Sequence, residues 1–315
     1  MKTFDSVVAS AERFVLGEGP VWDAVRGRLL WVDIEDGAVL IGRLDGDSVQ
    51  VDERLDFDGT VGAVAVFAEG QLLVAAQREI VRIELDGRRS PVLRLIAADE
   101  PRRLNDGKTD PAGRFLVGSC PKAGRMNDEW LKRLEPDGTL TTVDSDLGLS
   151  NGLAWSGDGS RMFSIDSFEH IVWVRDYGPA TGAVGERAVF VRIEDGYPDG
   201  MCIDAEDHLW VAVYGRGEVR RVSPAGEVVA VVKVPAPQTT SVAFAGQGLD
   251  ALVITTANYQ MSEGELAEFP DSGRLFIGSV GVRGLPTRSL DAGMSAKVPP
   301  LIKVPPPSKG DSSCT

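Results

Sequence analysis

One phrase recurs six times in this chain: a small turn residue, a short apolar run, a polar turn and a second apolar run. Its copies begin at Gly19, Gly62, Gly107, Gly152, Gly200 and Ser241, offset by 43, 45, 45, 48 and 41 residues. A period of this length belongs to units that cannot bury an apolar face alone and must stack or close into a ring. Just before the repeated glycine stand Glu18, Asp106 with Asn105 ahead of it, Asn151 and Asp199. Equivalent positions of a closed array point at one axis, so side-chain oxygens far apart in sequence are expected to converge.

Within each copy the apolar runs are too short for stable helices and rich in β-branched or aromatic residues, which predicts strands. Arg28 to Asp33, Gln71 to Ala75, Arg114 to Val117, Arg161 to Ile165 and His208 to Ala212 are such runs. Leu44-Asp45-Gly46, Leu85-Asp86-Gly87, Pro136-Asp137-Gly138 and Pro224-Ala225-Gly226 read as hairpin turns, because glycine accepts positive φ. Four strands joined by turns make one propeller blade. The expected fold is therefore all-β: a six-bladed β-propeller with four-stranded blades and very little helix. It forms one domain over 1–290, with Phe4 to Val8 adding a strand that closes the ring. The Pro-rich C-terminal segment, 291–315, is expected to stay unpacked.

Bulk properties exclude several functions. The net charge of −14, from 47 acidic and 33 basic residues, repels phosphate backbones and anionic lipid. Neither nucleic acid nor a membrane is an expected partner, and no obligate protein partner is evident. The three cysteines form no Cys-x-x-Cys pair and read as reduced thiols, with Cys202 a core filler in Met201-Cys202-Ile203. No signal-like or membrane-spanning stretch stands out, so a cytoplasmic location is expected. With only His170 and His208 available, a zinc site of three histidines is impossible. Neither a nucleophile elbow nor a phosphate-binding loop occurs.

What remains is oxygen chemistry. Hard divalent cations take carboxylates, carboxamide oxygens and water. Glu18, Asn105, Asn151 and Asp199 offer such a set, with positions left for water and substrate. A single Asn-Gly or Asp-Gly is a turn former; four copies at one phase of a ring read as ligands. Glu18-Gly19 weighs most, since glutamate is a poor turn residue. Asp23, Asp110, Asp158 and Asp204 also recur, but after the first apolar run, and read as turn caps near the opposite end of each blade.

At these positions the sequence resembles the SMP-30/gluconolactonase/luciferin-regenerating family. The likeness runs from Leu16 to about Gly284. Its motifs are Leu16-Gly17-Glu18-Gly19-Pro20, Arg103-Leu104-Asn105-Asp106-Gly107-Lys108, Ser150-Asn151-Gly152-Leu153-Ala154-Trp155 and Pro198-Asp199-Gly200-Met201-Cys202-Ile203-Asp204. The resemblance implies a propeller with one divalent metal ion in its central channel, held by Glu18, Asn105, Asn151 and Asp199. Ca²⁺ comes first, with Zn²⁺, Mg²⁺ or Mn²⁺ as alternatives. It further implies hydrolysis of lactones, most often sugar aldonolactones. Arg103 falls on a substrate-binding position, Asp199 on the acid/base position, and Asn105 and Asp106 beside the substrate. One departure is notable: Gly118 to Gly124 holds no carboxylate where many members have one for sugar hydroxyls, leaving Lys122, Asn127, Asp128 or Glu129 as substitutes. The same centre also fits a phosphotriesterase, or a non-catalytic calcium-binding propeller.

Overall fold

Extended runs closed by glycine turns do form strands throughout. The computed structural model describes residues 1–291; beyond Asp291, the expected Pro-rich tail lies outside the described residues. After β1 (Lys2–Val8), the first sheet comprises β2 (Gly17–Asp23), β3 (Arg28–Asp33), β4 (Ala38–Asp45) and β5 (Ser48–Asp56). The second comprises β6 (Val61–Val66), β7 (Leu72–Ala76), β8 (Glu79–Ile83) and β9 (Arg89–Arg94). The third is β10 (Arg102–Thr109), β11 (Phe115–Pro121), β12 (Glu129–Leu134) and β13 (Leu140–Leu147). The fourth is β14 (Ser150–Trp155), β15 (Arg161–Asp166), β16 (Ile171–Asp176) and β17 (Ala188–Arg192). There follow β18 (Tyr197–Ile203), β19 (Leu209–Tyr214), β20 (Glu218–Val222) and β21 (Val228–Lys233), then β22 (Thr239–Ala245), β23 (Ala251–Thr256), α1 (Glu263–Glu268) and β24 (Phe276–Ser279). The hairpin glycines Gly46, Gly87, Gly138 and Gly226 all have positive φ, between 58° and 86°.

The architecture is an all-β propeller, with one correction to the expected six separate four-stranded blades. Hydrogen bonding gives four four-stranded sheets and one eight-stranded sheet, ordered β18-β19-β20-β21-β1-β24-β23-β22. The cause is β1. Its first half pairs in parallel with β21 and its second half antiparallel with β24, so one strand bridges two sheets. A turn-by-turn reading cannot see this, because the two partners lie more than two hundred residues away. The first strands β2, β6, β10, β14, β18 and β22 contact one another in cyclic order, back to β2.

The core lies between neighbouring sheets. Leu30, Val32 and Val39 of the first sheet pack with Val61, Val64 and Val74 of the second. Phe163 and Ile165 of the fourth pack with Met201, Leu209 and Val211 of the eight-stranded sheet. Each such side chain contributes about 1.5–3 kcal/mol by leaving water. At the outgoing ends of the inner strands the chain's last described segment crosses the axis. Gly284 bridges to Asp204, the Leu290 amide donates to the Val66 carbonyl, and that of Asp291 to Gly113. No helix among the described residues is long and apolar enough to cross a membrane.

Candidate active site

The repeated phrase begins each inner strand with a break in register. The pairing slips between Glu18 and Val21, Val61 and Ala63, Leu104 and Gly107, Asn151 and Leu153, Pro198 and Met201, and Thr239 and Ser241. A β-bulge bends its strand and re-aims the side chain at the bulge. Glu18, Asn105, Asn151 and Asp199 stand at these slips, which is how residues of four sheets face one axis. The repeated glycine has its own cause. A Cβ on Gly62 would lie 2.4 Å from the Asn105 carbonyl oxygen, and one on Gly152 would lie 2.5 Å from that of Asp199. Bare glycine lets the next copy's ligand-bearing backbone approach.

The four side chains, together with Arg103, line one cavity of about 250 Å³. Hydrogen bonds run between sheets to hold them. The Arg103 guanidinium donates to Asn105 Oδ1 at 2.6 Å, and Asn105 Nδ2 donates to the Ser150 carbonyl at 2.9 Å and to Asn151 Oδ1 at 3.3 Å. Asn151 Nδ2 donates to Ser167 Oγ at 3.1 Å, whose hydroxyl donates to the Pro198 carbonyl at 2.6 Å. Glu18 accepts from the Gly19 amide at 2.9 Å.

Glu18 and Asp199 are 6 % and 9 % exposed. Burial, then the charges of Asp199 and Asp106, push the Glu18 carboxyl well above the usual carboxylate range. Burial, then the charge of Asp106, push Asp199 the same way against hydrogen bonds from Glu18 and Asn151 and the charge of Arg103. Asp199 Oδ1 is buried and has no hydrogen-bond partner among the described residues. Two adjacent carboxyls short of counter-charge, beside two carboxamides, form an oxygen-only set that fits a hard divalent cation. Among the described residues no three His, Cys, Asp or Glu side chains gather as a metal cluster; this set relies on Asn105 and Asn151 for half its groups.

Other expectations sort clearly. Arg103 and Asn105 are on the cavity wall, but Asp106 is not. Its carboxylate accepts from the Gly107 amide at 2.7 Å, and the charge of Lys108 acts on it. The turn caps are saturated: Asp110 accepts from the Ala112 and Arg114 amides, Arg114 Nε and the Tyr177 hydroxyl. Asp204 accepts from the Glu206 and His208 amides, Trp210 Nε1 and Arg221 Nε. His170 and His208 bond backbone carbonyls and hold loops. Burial pushes the Cys202 thiol up to about 12, as suits a core filler.

None of the residues lining the cavity comes from 118–129, the segment expected to offer a substitute acidic contact. Asp128 pairs with Arg102, and Glu129 is buried against Ser119. The sequence reading missed Phe168, Tyr197, Tyr214 and Tyr259, all on the cavity wall. A signal existed. Ile34, Ser167 and Tyr214 sit at or just past the ends of β3, β15 and β19, so the phase of the second strands pointed to Tyr214, though not to Phe168, Tyr197 or Tyr259. Burial, then the charge of Asp199, push the Tyr214 phenol up to about 12. A second cavity, of about 120 Å³, lies at the far end of the inner strands. It has mainly apolar walls such as Val64, Trp155 and Phe244, and is lined also by Leu285 to Arg288.

The SMP-30/Gluconolactonase/LRE-like region matches residues 16–258. The chain is 35 % identical to regucalcin of Gallus gallus over 286 residues, covering 88 % of this chain and 95 % of that protein. It is 35 % identical to the pentonolactonase XacC of Haloferax volcanii over 280 residues, covering 86 % and 93 % respectively. The solved structure of a calcium-binding protein, regucalcin, from Agrobacterium tumefaciens superimposes with a TM-score of 0.86 at 24 % identity. That match covers 92 % of this chain and 99 % of the other, and is a likeness of fold.

Proposed function

The chain belongs to the SMP-30/gluconolactonase/LRE-like family, and from that premise we propose that it is a divalent-metal-dependent hydrolase opening the ring of a sugar aldonolactone. The observation that carries the reading is the buried pair Glu18 and Asp199, with Asp199 Oδ1 unbonded at a cavity wall shared with Asn105, Asn151 and Arg103. A pentonolactonase among its relatives supports the substrate class. We read the eight-stranded sheet as two four-stranded units sharing an edge, so that six units of one domain ring the axis. The cyclic contact order of the inner strands supports this. The expected location is cytoplasmic.

Glu18, Asn105, Asn151 and Asp199 would hold one divalent cation, Ca²⁺ by preference since every donor is oxygen. Bound there, it would offset the charge of the carboxylate pair and draw electron density from the lactone carbonyl. The chain's residues do the rest. Arg103 orients the carbonyl or a neighbouring hydroxyl through its planar fork. Asp199 takes a proton from the water whose oxygen bonds to the carbonyl carbon. The carbon–oxygen ring bond then breaks, and Asp199 returns the proton to the departing ring oxygen, leaving a hydroxy acid.

The test is a panel of lactones and one phosphotriester, assayed with chelator-stripped protein and single divalent ions added back. Restored lactone turnover by one ion is expected. A protein that keeps full lactone turnover after stripping, or prefers the phosphotriester, overturns the reading.

A further inference from the structure

The chain has four tyrosines, and three of them, Tyr197, Tyr214 and Tyr259, line the cavity that contains Glu18 and Asp199. They arrive from β18, from β19 and from the segment after β23, so no local sequence bias groups them. Tyr197 and Tyr214 are cross-strand partners. The Tyr197 ring stacks on His170, with centroids 4.7 Å apart. The backbone of Tyr259 is held by Gln238 Nε2, which donates to its carbonyl at 2.9 Å. Stacking thus holds the Tyr197 ring and a hydrogen bond holds the Tyr259 backbone, while the phenol oxygens of all three have no hydrogen-bond partner among the described residues. The fourth tyrosine behaves differently: the Tyr177 hydroxyl donates to Asp110 at 2.5 Å and accepts from Arg133 at 3.3 Å.

A phenol hydroxyl both donates and accepts, as does every hydroxyl of a sugar ring, and the aromatic face beside it packs on C–H groups. A carboxylate in the same place would only accept. The segment 118–129 supplies no such carboxylate to the wall. We propose that Tyr214 and Tyr259, with Tyr197 at the mouth, are the specificity residues that read the ring hydroxyls of the substrate. The enzyme then selects a polyhydroxylated lactone over one with a bare or alkyl ring. This inference rests on the lactonase reading and adds to it the residues that choose the substrate.

The experiment compares kcat/KM for D-glucono-1,5-lactone with that for δ-valerolactone, which has the ring without the hydroxyls. It uses wild type, Tyr214→Phe, Tyr259→Phe, Tyr197→Phe and Tyr177→Phe. Loss of one neutral hydrogen bond predicts that the preference for the hydroxylated lactone falls roughly 3- to 10-fold in Tyr214→Phe and in Tyr259→Phe, chiefly through KM. Tyr197, 45 % exposed, should show a smaller fall. Tyr177→Phe should lose stability and keep the preference. An unchanged preference in Tyr214→Phe and Tyr259→Phe, or an equal fall in Tyr177→Phe, overturns the assignment while the lactonase reading stands. If wild type opens neither lactone with any divalent ion, the lactonase reading fails and calorimetric titration with D-gluconate decides the tyrosines. Weaker binding by the Tyr214 and Tyr259 variants sustains the hydroxyl-reading wall. Equal binding by all proteins, or none by wild type, overturns it.

Discussion

At the outgoing ends of the inner strands, Asp110 and Asp204 are fully buried and each accepts four hydrogen bonds from amides, side-chain N–H groups or a phenol. At the incoming ends of the same strands β10 and β18, some five residues away, stand Asn105 and Asp199, and Asp199 Oδ1 has no hydrogen-bond partner among the described residues. The cavities follow the same division. The incoming end opens into about 250 Å³ with carboxyl, carboxamide and guanidinium groups on its wall. The outgoing end encloses about 120 Å³ beneath the crossing segment, against apolar side chains such as Val64, Trp155 and Phe244 and with Lys108 but no carboxyl group on its wall. Burying a carboxylate is costly unless its lone pairs are met. One end meets them with protein donors and is structural. The other leaves them short, which is the condition of a site built to receive something.

The sharpest way to break this contrast is to remove a carboxylate from each end. Asp199→Ala should lower kcat/KM on the best lactone by about a thousandfold or more, since proposed base and ligand vanish together. Steady-state kinetics at saturating metal would measure it, and near-wild-type turnover would refute the role. Asp110→Ala should instead cost about 3–5 kcal/mol of stability, because Arg114 and Tyr177 lose their buried partner. Urea unfolding would read that loss, with activity per folded molecule largely kept.

A smaller effect is expected where the two ends share backbone. Gly152→Ala places a Cβ 2.5 Å from the Asp199 carbonyl oxygen. Overpacking of this kind costs about 1–3 kcal/mol. Unlike Asp110→Ala, it should lower stability and kcat/KM together, as paired melting and rate measurements would show.

The subtlest test is pH. Burial and mutual charge raise Glu18 and Asp199 in the folded protein, so it holds protons that the unfolded chain has already released. Stability of the metal-stripped protein should therefore rise as pH falls through the folded values, and the gain is complete below the ordinary carboxylate range. Melting temperatures in chelator between pH 8 and 5 would follow this rise, and Asp199→Asn should flatten it.

The sequence by itself determined the strand content, the circular repeat and the residues Glu18, Asn105, Asn151 and Asp199 that meet at one cavity, while Arg103 on the same wall was reached only through the family resemblance. It could do so because strand alternation, turn glycines and the phase of a repeat are local patterns that a ring converts into position. It also separated Asp110 and Asp204 from the hub, since both lie past the first apolar run. Only the tertiary structure decided the rest. β1 joins two sheets through partners at the other end of the chain. Asp106 falls off the cavity wall, although it is adjacent to Asn105, and its carboxylate is taken up by the Gly107 amide beside Lys108. Three tyrosines from separate elements line one cavity, and the segment 118–129 turns its acids toward Arg102 and Ser119. These outcomes depend on which way a side chain points once neighbouring strands have packed, and that direction is set by contacts across the fold.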